Sequence, residues 1–427
     1  MIVPHQVFQQ LHKVKYIQYG PNQSPVECLG HHKDTKTLFI SSKLKSTINL
    51  ATHKSLTIHI HDNTCRIPLT LGVFIAGFDS ENELLGPRTS LYEKMSQAGN
   101  KMGFQTVFFG HQHIFSNSKE IYAYYYNKNK WQRKSLPIPT VIYNRIPNRK
   151  IEHHPNVIEA KKILNKQATL FNQNFFNKWE IYERLMKNPD CSYLLPKTIL
   201  HPSYKKIATL VEQHGLYIKP IHGSRGEGIV KCSKLDTGEL ECHYYIKEKP
   251  QVNRYINIDA FFTQHFPNGL KGYVAQEEIP LLKKRNSAID FRVHVNKNDR
   301  NNWEVTIICA KFAGKGSLTT HVQRGGSLHL VDELFSKEET KRITNKLSTT
   351  AVDLSYKLEQ ALEENVGEIG YDFGIDQEGK IWLFEANSKP GFSIYHHPGI
   401  EKLANHVLSY PFQYAFYLHN LRKNKLN

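Results

Sequence analysis

The 427-residue sequence lacks several features that would place it in a specialised class of protein. No stretch approaches the roughly 20 consecutive apolar residues that cross a bilayer, so we expect no membrane insertion. The opening segment, MIVPHQVFQQLHKVKYIQYG, has no apolar core of a secretory signal, which favours the cytoplasm. Only six cysteines occur, without a C-x-x-C pair, and this favours reduced thiols over a disulfide framework or a zinc site.

Histidine and positive charge are abundant instead. The 23 histidines include the neighbours His31-His32 and His396-His397, but none has H-E-x-x-H or Cys/His zinc spacing, so surface or packed roles are preferred. The formal net charge of +17 favours anionic partners such as nucleotides, acidic substrates or nucleic acid. Because the basic residues are spread along the chain and no nucleic-acid-binding module is evident, nucleic acid is the least favoured of these partners.

The order of strand and helix patterns predicts that two smaller units precede a larger one. Residues 1–70 alternate apolar and turn residues, which predicts a β-rich module made of short strands. Residues 71–165 begin with the apolar run LGVFIAG, continue with a helix and reach a second apolar strand, FQTVFFG. Strand, helix and strand predict a parallel βαβ unit, and a hairpin (IYAYYYNKNKWQ) and a further strand (PTVIYNRIP) follow it.

Residues 166–427 are predicted to form one larger domain. A helical pattern covers about 156–187, and short strands alternate with turns over 215–282. A long helix is predicted over 337–364, where isoleucine and leucine recur at helical spacing and indicate a core-facing stripe. The strands EIGYDFGID and KIWLFEAN then predict a hairpin.

A glycine-rich segment, YIKPIHGSRGEGIVK, occupies residues 217–231. Glycines allow backbone N–H groups to converge on an anion, and Lys219 adds a point charge suited to phosphate. The segment is not a Walker A loop, because no Gly-Lys-Ser/Thr follows at the required spacing. The competing interpretation is a glycine-rich hairpin turn without a ligand.

Three oxygen-bearing side chains lie on the predicted final hairpin. Pairing about a symmetric turn over 376–379 places Asp372 opposite Leu383, with Glu385 two residues further along and Asn387 beyond it. Side chains alternate faces along a strand, so all three oxygen-bearing residues would project from one side. Such a face suits Mg²⁺, which favours carboxylates and leaves positions for phosphate oxygens. The alternative is an exposed polar face.

Two further segments combine strand patterns with charge. YVAQEEIPLL predicts either a hinge whose backbone reads an adenine edge or an edge strand that leaves a sheet. Further on, Arg292, Lys311 and Arg324 lie within or beside apolar strand segments. A buried cation requires an anion, which is either a bound ligand or an ordinary Asp or Glu partner.

The order of these motifs resembles the ATP-grasp superfamily. It runs from Lys178 in NKWEIYERL, through Lys219-Pro and the glycine-rich loop, to QEEI, DFR, AK, RGG, YDFG and FEANSKPG. Within the superfamily the chain is most similar, from about residue 71 to 420, to the YheC/YheD-type proteins, described as endospore-coat-associated. The resemblance implies an α+β ATP-grasp fold with a βαβ pre-ATP-grasp domain, the N-terminal β-rich module, a lid over about 190–275 and a metal-bearing subdomain over about 276–427.

The resemblance also implies a role for each motif residue. Arg292 and Lys311 would be catalytic and would hold the γ-phosphate or an acyl-phosphate. The implied nucleotide-binding residues are Lys178, Lys219, Gly223, Ser224, Gly226, Gly228, Glu277, Glu278 and Ile279. The implied Mg²⁺ ligands are Asp372, Glu385 and Asn387. His321 stands where related ligases usually carry Asn, and an imidazole there could still exchange a hydrogen bond.

The function implied by the resemblance is ADP-forming ligation of a carboxylate to an amine, of the peptide-bond-forming type, through an acyl-phosphate and in the setting of spore formation. ATP and Mg²⁺ would be required. The substrates would be small-molecule or peptide-like carboxylates and amines, and spore-coat proteins are possible partners of a cytoplasmic or coat-associated protein. The alternative is a catalytically silent, ATP-binding coat-assembly scaffold. The presence of the phosphate and metal residues favours turnover.

Overall fold

The computed structural model describes the chain except at residues 34–36, 51–57, 79–83, 116–118, 214, 222–227, 247–248, 285–286, 313–325, 392–396 and 427. Its strands form three six-stranded sheets, one four-stranded sheet and one two-stranded sheet. Helices pack on these sheets, as an α+β fold requires. None of the helices in the described ranges is long and apolar enough to cross a membrane.

The N-terminal module contains two helices that the strand-like pattern did not predict. The first follows a strand directly, and the second begins after Ser41, whose hydroxyl accepts a hydrogen bond from the Leu44 N–H at 3.2 Å. Helices of six or seven residues are too short to show a helical period in sequence. The elements are β1 (Ile2–Pro4), α1 (His5–Leu11), β2 (Tyr16–Tyr19), β3 (Asn22–Pro25), β4 (Leu29–His31), α2 (Ser42–Thr47), β5 (His59–His61) and β6 (Thr64–Ile67).

The six-stranded sheet that follows the N-terminal module, called the second sheet below, confirms the predicted βαβ unit. Its first two strands pair in parallel with a helix between them in sequence, and the sheet order is β10-β9-β8-β7-β11-β12. The predicted hairpin turns at Lys128 and Asn129, whose φ values of 49° and 59° suit a tight turn between twisted strands. The elements are β7 (Leu69–Phe74), α3 (Thr89–Lys101), β8 (Phe104–Phe109), β9 (Glu120–Asn127), β10 (Lys130–Pro137), β11 (Val141–Asn144), α4 (Arg149–Glu152), α5 (Pro155–Gln167) and β12 (Thr169–Phe171).

The predicted continuous helix over about 156–187 is wrong. Helix α5 ends at Gln167, and α6 (Lys178–Met186) begins only after strand β12. That strand pairs in parallel with β11 and buries Leu170 and Phe171. A three-residue strand has no readable alternation, so long-range pairing overrides the helical pattern.

The third sheet, together with α8 and α9, falls within the predicted lid, and this unit is called the lid subdomain below. Its strand order is β13-β18-β14-β15-β16-β17. Strand β18, which carries YVAQE, pairs with a neighbour on each side, so the edge-strand interpretation of this segment is wrong. The elements from here are α7 (Pro189–Ser192), β13 (Thr198–Leu200), α8 (Tyr204–Gln213), β14 (Leu216–Pro220), β15 (Val230–Lys234), β16 (Leu240–Ile246), β17 (Lys249–Tyr255), α9 (Ile258–His265) and β18 (Tyr273–Glu277).

The last large sheet carries the predicted metal hairpin, with the order β22-β21-β20-β23-β24 and β19 beside β20. The predicted long helix is confirmed as α10, which buries Ile343, Leu347, Leu354 and Leu358 against this sheet. The elements are β19 (Lys283–Lys284), β20 (Ser287–Lys297), β21 (Trp303–Phe312), β22 (Ser327–Leu330), α10 (Lys337–Leu362), β23 (Glu368–Ile375), β24 (Ile381–Asn387), α11 (Pro398–Val407) and α12 (Tyr410–Leu426).

The C-terminal helix joins the end of the chain to its beginning. Phe412 and Phe416 of α12 share one core with Tyr19 of the N-terminal module and Leu69 of the second sheet. The Tyr19 hydroxyl also lies 3.0 Å from Nε2 of His419. The predicted boundaries at residues 70 and 165 stay a prediction, because this core crosses the first of them.

Candidate functional site

A charge cluster lies on the face of the last sheet opposite α10. On β20, Phe291 and Val293 pack in the core with α10, so Arg292, between them in sequence, lies on the other face. Arg292 donates from Nε and Nη2 to the two oxygens of Asp372, each at 2.9 Å. This two-pronged contact fixes both side chains in one orientation.

Lys311 completes the charge cluster from the next strand. Its Nζ donates to Oδ1 of Asp372 at 2.7 Å and lies 2.9 Å from Oδ1 of Asp290. Lys311 and Asp372 are buried, and the carboxylates beside Lys311 raise its pKa even though burial alone would lower it. Both predicted catalytic cations, Arg292 and Lys311, therefore have protein carboxylates as partners in this structure.

The hairpin that carries the predicted metal ligands has a different register from the predicted one. Ile375 pairs with Ile381, so the turn is one residue longer than predicted. An irregularity beside Asp372 then lets β24 skip Phe384, and the predicted pairing of Asp372 with Leu383 is wrong. Asp372 lies directly opposite Glu385 instead.

Asp376 explains the longer turn. Its Oδ1 accepts hydrogen bonds from the backbone N–H groups of Glu378 and Lys380, at 3.0 and 2.8 Å, and its Oδ2 accepts from the Trp382 indole at 2.8 Å. These bonds satisfy the turn's backbone and hold the pKa of Asp376 below its usual value, although burial opposes them. A turn held by a side chain in this way is invisible to strand periodicity.

The observed register still places the three oxygen-bearing side chains on one side of the hairpin. Asp372 faces Glu385, and Asn387 faces Gly370 two residues along. Two carboxylates and an amide oxygen are donor types that Mg²⁺ accepts, so these three residues fit the ion if phosphate oxygens complete its shell. Among described residues no group of three or more His, Cys, Asp or Glu side chains is arranged for a metal.

Two lysines from different parts of the fold approach this hairpin. Lys178 is the first residue of α6, as predicted, and its Nζ lies 3.4 Å from Oε1 of Glu385. Lys219 on β14 of the lid subdomain donates to Oε1 of Gln276 at 2.6 Å. Burial, together with the neighbouring charge of Lys178, lowers the pKa of Lys219 to about 8, and Glu385 and Asp290 limit the shift. Lys219 is thus near enough to Glu385 and Lys178 for their charges to act on it.

The predicted phosphate loop is only partly within the described residues. Gly223, Ser224 and Gly226 lie outside them, as do Arg324 and His321. Gly228 is described and has a φ of +67°, with Pro220 at 2.9 Å from the position of a Cβ. A side chain there would be strained and would collide with Pro220.

The side chains of Glu277 and Glu278, two of the predicted nucleotide-binding residues, have protein partners in this structure. Glu277 accepts a hydrogen bond from the Lys197 N–H at 2.7 Å. Oε1 of Glu278 lies 2.6 Å from Nζ of Lys231. Ile279 is buried. The nucleotide-binding role of these three residues stays a prediction.

A latch of buried ion pairs, which the sequence did not predict, lies beside the metal hairpin. The latch consists of two buried ion pairs, Arg145 with Glu368 and Lys389 with Glu152. Asn144 also donates to Oε1 of Glu152 at 3.1 Å. Lys389 lies in the FEANSKPG motif, but its partner Glu152 is far away in sequence and nothing local marks it. The latch thus joins the residues that follow β11 to the start of β23 and to Lys389, two residues after Asn387.

Glu152→Gln tests how far the latch stabilises the fold. We expect the free energy of unfolding to fall by about 1–3 kcal/mol, because buried Lys389 loses its anionic partner. Glutamine retains an oxygen that can accept from Asn144, which limits the loss. Glu159→Gln is the matched control, since Glu159 pairs with Lys162 on the exposed surface. Equal urea midpoints for the two variants would contradict a role for the latch.

The site also contains two residues that no motif assignment named. Asp290 stands two positions before Arg292 in DFR, and strand alternation could have placed both on one face. His294 lies two positions after it and is buried, with Nε2 unbonded within the described residues. Burial and the charge of Arg292 together lower the pKa of His294 to about 3, so the imidazole stays neutral. It adds no charge to the cluster.

Comparison with known proteins shows which family the chain resembles. A family profile described as "YheC/D like ATP-grasp" matches residues 167–418. Endospore coat-associated protein YheD of Bacillus subtilis (strain 168) is 34% identical over 396 residues, which are 90% of this chain and 86% of that protein. Endospore coat-associated protein YheC of the same organism is 23% identical over 275 residues, which are 63% of this chain and 75% of that protein. Among solved structures, the D-alanine-D-alanine ligase from Coxiella burnetii is 11% identical with a TM-score of 0.45, over 84% of this chain and 96% of that one.

Proposed function

The chain belongs to the YheC/D-like ATP-grasp family, and we propose that it is an ADP-forming ligase that joins a carboxylate to an amine through an acyl-phosphate. One observation carries this proposal. Lys219 of the lid subdomain and Glu385 of the metal hairpin interact across one space, which Lys178 also enters. A phosphate-binding lysine and a metal-binding carboxylate on facing subdomains are what an enzyme that clamps a nucleotide requires.

The charge balance of the site supports an anionic ligand. Among the residues that the structure describes, four cations, Lys178, Lys219, Arg292 and Lys311, accompany the three carboxylates Asp290, Asp372 and Glu385 in ion pairs and electrostatic contacts. The formal excess of this set is one positive charge (4 − 3). Phosphoryl transfer depends mainly on positioning and neutralisation of charge, and this set of residues supplies both.

In the proposed reaction the protein orients the groups and takes no covalent part. Lys178 and Lys219 hold the triphosphate, while Arg292 and Lys311, fixed by Asp372, stabilise charge on the transferred phosphoryl group. Mg²⁺ held by Asp372, Glu385 and Asn387 would neutralise phosphate charge when bound. A substrate carboxylate oxygen bonds to the γ-phosphorus as ADP leaves, and an amine then displaces phosphate from the acyl carbon and loses a proton. Closure of the lid excludes water that would hydrolyse the acyl-phosphate.

The names of the two relatives suggest the setting of this reaction. Both are described as endospore coat-associated, so we propose the same setting for this chain, with coat proteins as candidate partners. The basic surface favours an acidic or peptide-like carboxylate substrate. A Michaelis constant for the acid that rises steeply with salt is expected, and a salt-independent constant would contradict an electrostatic role in substrate capture.

Trapping of the intermediate tests the reaction class. Purified protein with Mg-ATP is incubated with amino acids and cell-wall peptides as acids, with hydroxylamine in place of the amine. An acid that supports ADP release together with hydroxamate formation would establish an acyl-phosphate. Nucleotide binding without turnover across the whole panel would favour a silent scaffold instead.

Lys219 gives the proposal a pH signature. Because only the protonated lysine attracts phosphate, and its pKa is near 8, affinity for Mg-ATP should be full below pH 8 and fall as the pH rises through it. Lys219→Met should weaken binding by about 10–100-fold at pH 7 and flatten this profile. The matched control is Lys249→Met on exposed β17. Calorimetric titration measures both, and a wild-type affinity independent of pH would contradict the assignment.

A further inference from the structure

Two buried cysteines face each other inside the lid subdomain. Cys232 on β15 and Cys242 on β16 are register partners, and their Sγ atoms lie 3.2 Å apart. The residues are 1% and 0% exposed, and the proposed ligase chemistry uses neither of them. We propose that this pair is an oxidative modification site, at which a hydroperoxide converts the two thiols into an intramolecular disulfide.

The backbone already has the spacing that a disulfide needs. Directly opposed residues of antiparallel strands have Cα atoms about 4.5–5.5 Å apart. Disulfides span Cα separations of about 4.4–6.8 Å. Bond formation between Cys232 and Cys242 therefore requires rotation of the two side chains and leaves the strands in place.

The surroundings favour a disulfide over a metal site. In register, Leu216 flanks Cys232 on one side, and Asn253 flanks Cys242 on the other. The described residues contain no group of three or more His, Cys, Asp or Glu side chains suited to a metal. Two thiols alone fall short of the four ligands of a structural zinc site.

The oxidation balances with hydrogen peroxide as the simplest hydroperoxide. The sulfur of one cysteine attacks the peroxide, which gives a sulfenic acid and one water. The second sulfur displaces the hydroxyl group of that sulfenic acid as a second water, so two thiols and one peroxide yield one disulfide and two waters. Burial and the hydrogen bond to Cys242 raise the pKa of Cys232, so we expect a slow reaction, over hours rather than seconds.

The cross-link would lie on the core side of the lid sheet. Cys232 and Cys242 belong to the apolar core of the lid subdomain, whereas the neighbouring Lys231 lies on the other face and contacts Glu278. Because consecutive strand residues alternate faces, the disulfide would join β15 to β16 without touching the nucleotide-facing cations. The oxidised lid should unfold at a higher temperature than the reduced lid, because the cross-link restricts the unfolded chain.

Peptide mapping of the full-length folded protein tests the proposal. After treatment with hydrogen peroxide, free thiols are blocked in denaturant and the chain is cut with trypsin, which cleaves after Lys234 between the two cysteines. We expect two of the six thiols to escape blocking, and a pair of peptides bearing Cys232 and Cys242 that separates on reduction. Cys242→Ser should abolish the linked pair, and Cys191→Ser, which alters a buried cysteine outside the lid sheet, should retain it.

The same peptide map also shows the outcomes that would overturn the proposal. Cys65 and Cys28 are close enough to interact electrostatically, so they form the competing pair. A linked peptide from Cys28 and Cys65 alone would overturn the proposal, as would blocked thiols at both Cys232 and Cys242 after prolonged oxidation. If Cys242→Ser fails to fold, the peptide map of the wild-type protein is sufficient to decide between these outcomes.

Discussion

Glu385→Gln is expected to lower the rate of Mg²⁺-dependent ADP formation by about 10²–10³-fold, the usual cost of removing one preorganised electrostatic group from an active site. The substitution keeps the shape of the side chain and removes the charge that faces Lys178 at 3.4 Å and lies opposite Asp372. Without it, the hairpin offers a divalent cation one carboxylate, and that carboxylate is already paired with Arg292. Measurement of ADP release at saturating Mg²⁺ gives the ratio directly.

Glu378→Gln is the matched control for this variant. Glu378 lies on the exposed turn of the same hairpin, where its side chain is away from the charge cluster. Its rate should equal that of the wild-type protein. A full rate for Glu385→Gln, or equal losses for the two variants, would remove the metal hairpin from the mechanism.

Asp372→Asn is expected to cost about 3–5 kcal/mol of unfolding free energy and to abolish ligation. Arg292 and Lys311 both bond to this carboxylate, and an amide in its place leaves two neighbouring cations without the anion that they share. Removal of one partner from a buried ion cluster is costly because the remaining charges have little access to water. Urea unfolding followed by tryptophan fluorescence reports the loss.

Asp353→Asn shows what an ion pair on the surface is worth. Asp353 pairs with Lys357 one turn along α10 at 3.1 Å and is 67% exposed, so we expect a loss below about 1 kcal/mol. If Asp372→Asn were no more destabilising than this control, the charge cluster would not be the rigid element that the mechanism needs.

Much of the fold could be predicted from sequence because its signals are local. The apolar run LGVFIAG, the stripe of Leu347, Leu354 and Leu358, and the lysine after Asn177 each depend on neighbours within a few residues. The βαβ unit, α10 and the start of α6 are confirmed on those grounds. The family assignment is also confirmed, and it came from the order of eight loose motifs rather than from any one of them.

The errors arose where distant residues decide the structure. Strand β12 forms because β11 is available to pair with it, and the hairpin register depends on the hydrogen bonds that Asp376 makes across its turn. The latch between Glu152 and Lys389 joins positions 237 residues apart. No periodicity or propensity records such contacts, so the sequence indicates candidate residues for the site but not their geometry.

A crystal structure with a non-hydrolysable ATP analogue, and with Mn²⁺ in place of Mg²⁺, tests whether the lid subdomain and the metal hairpin bind one nucleotide. We expect the triphosphate between Lys219 of the lid subdomain and Arg292 of the charge cluster, with the anomalous signal of the metal in contact with Glu385 and Asn387. A nucleotide bound elsewhere on the chain, or a metal that touches neither of these side chains, would contradict it.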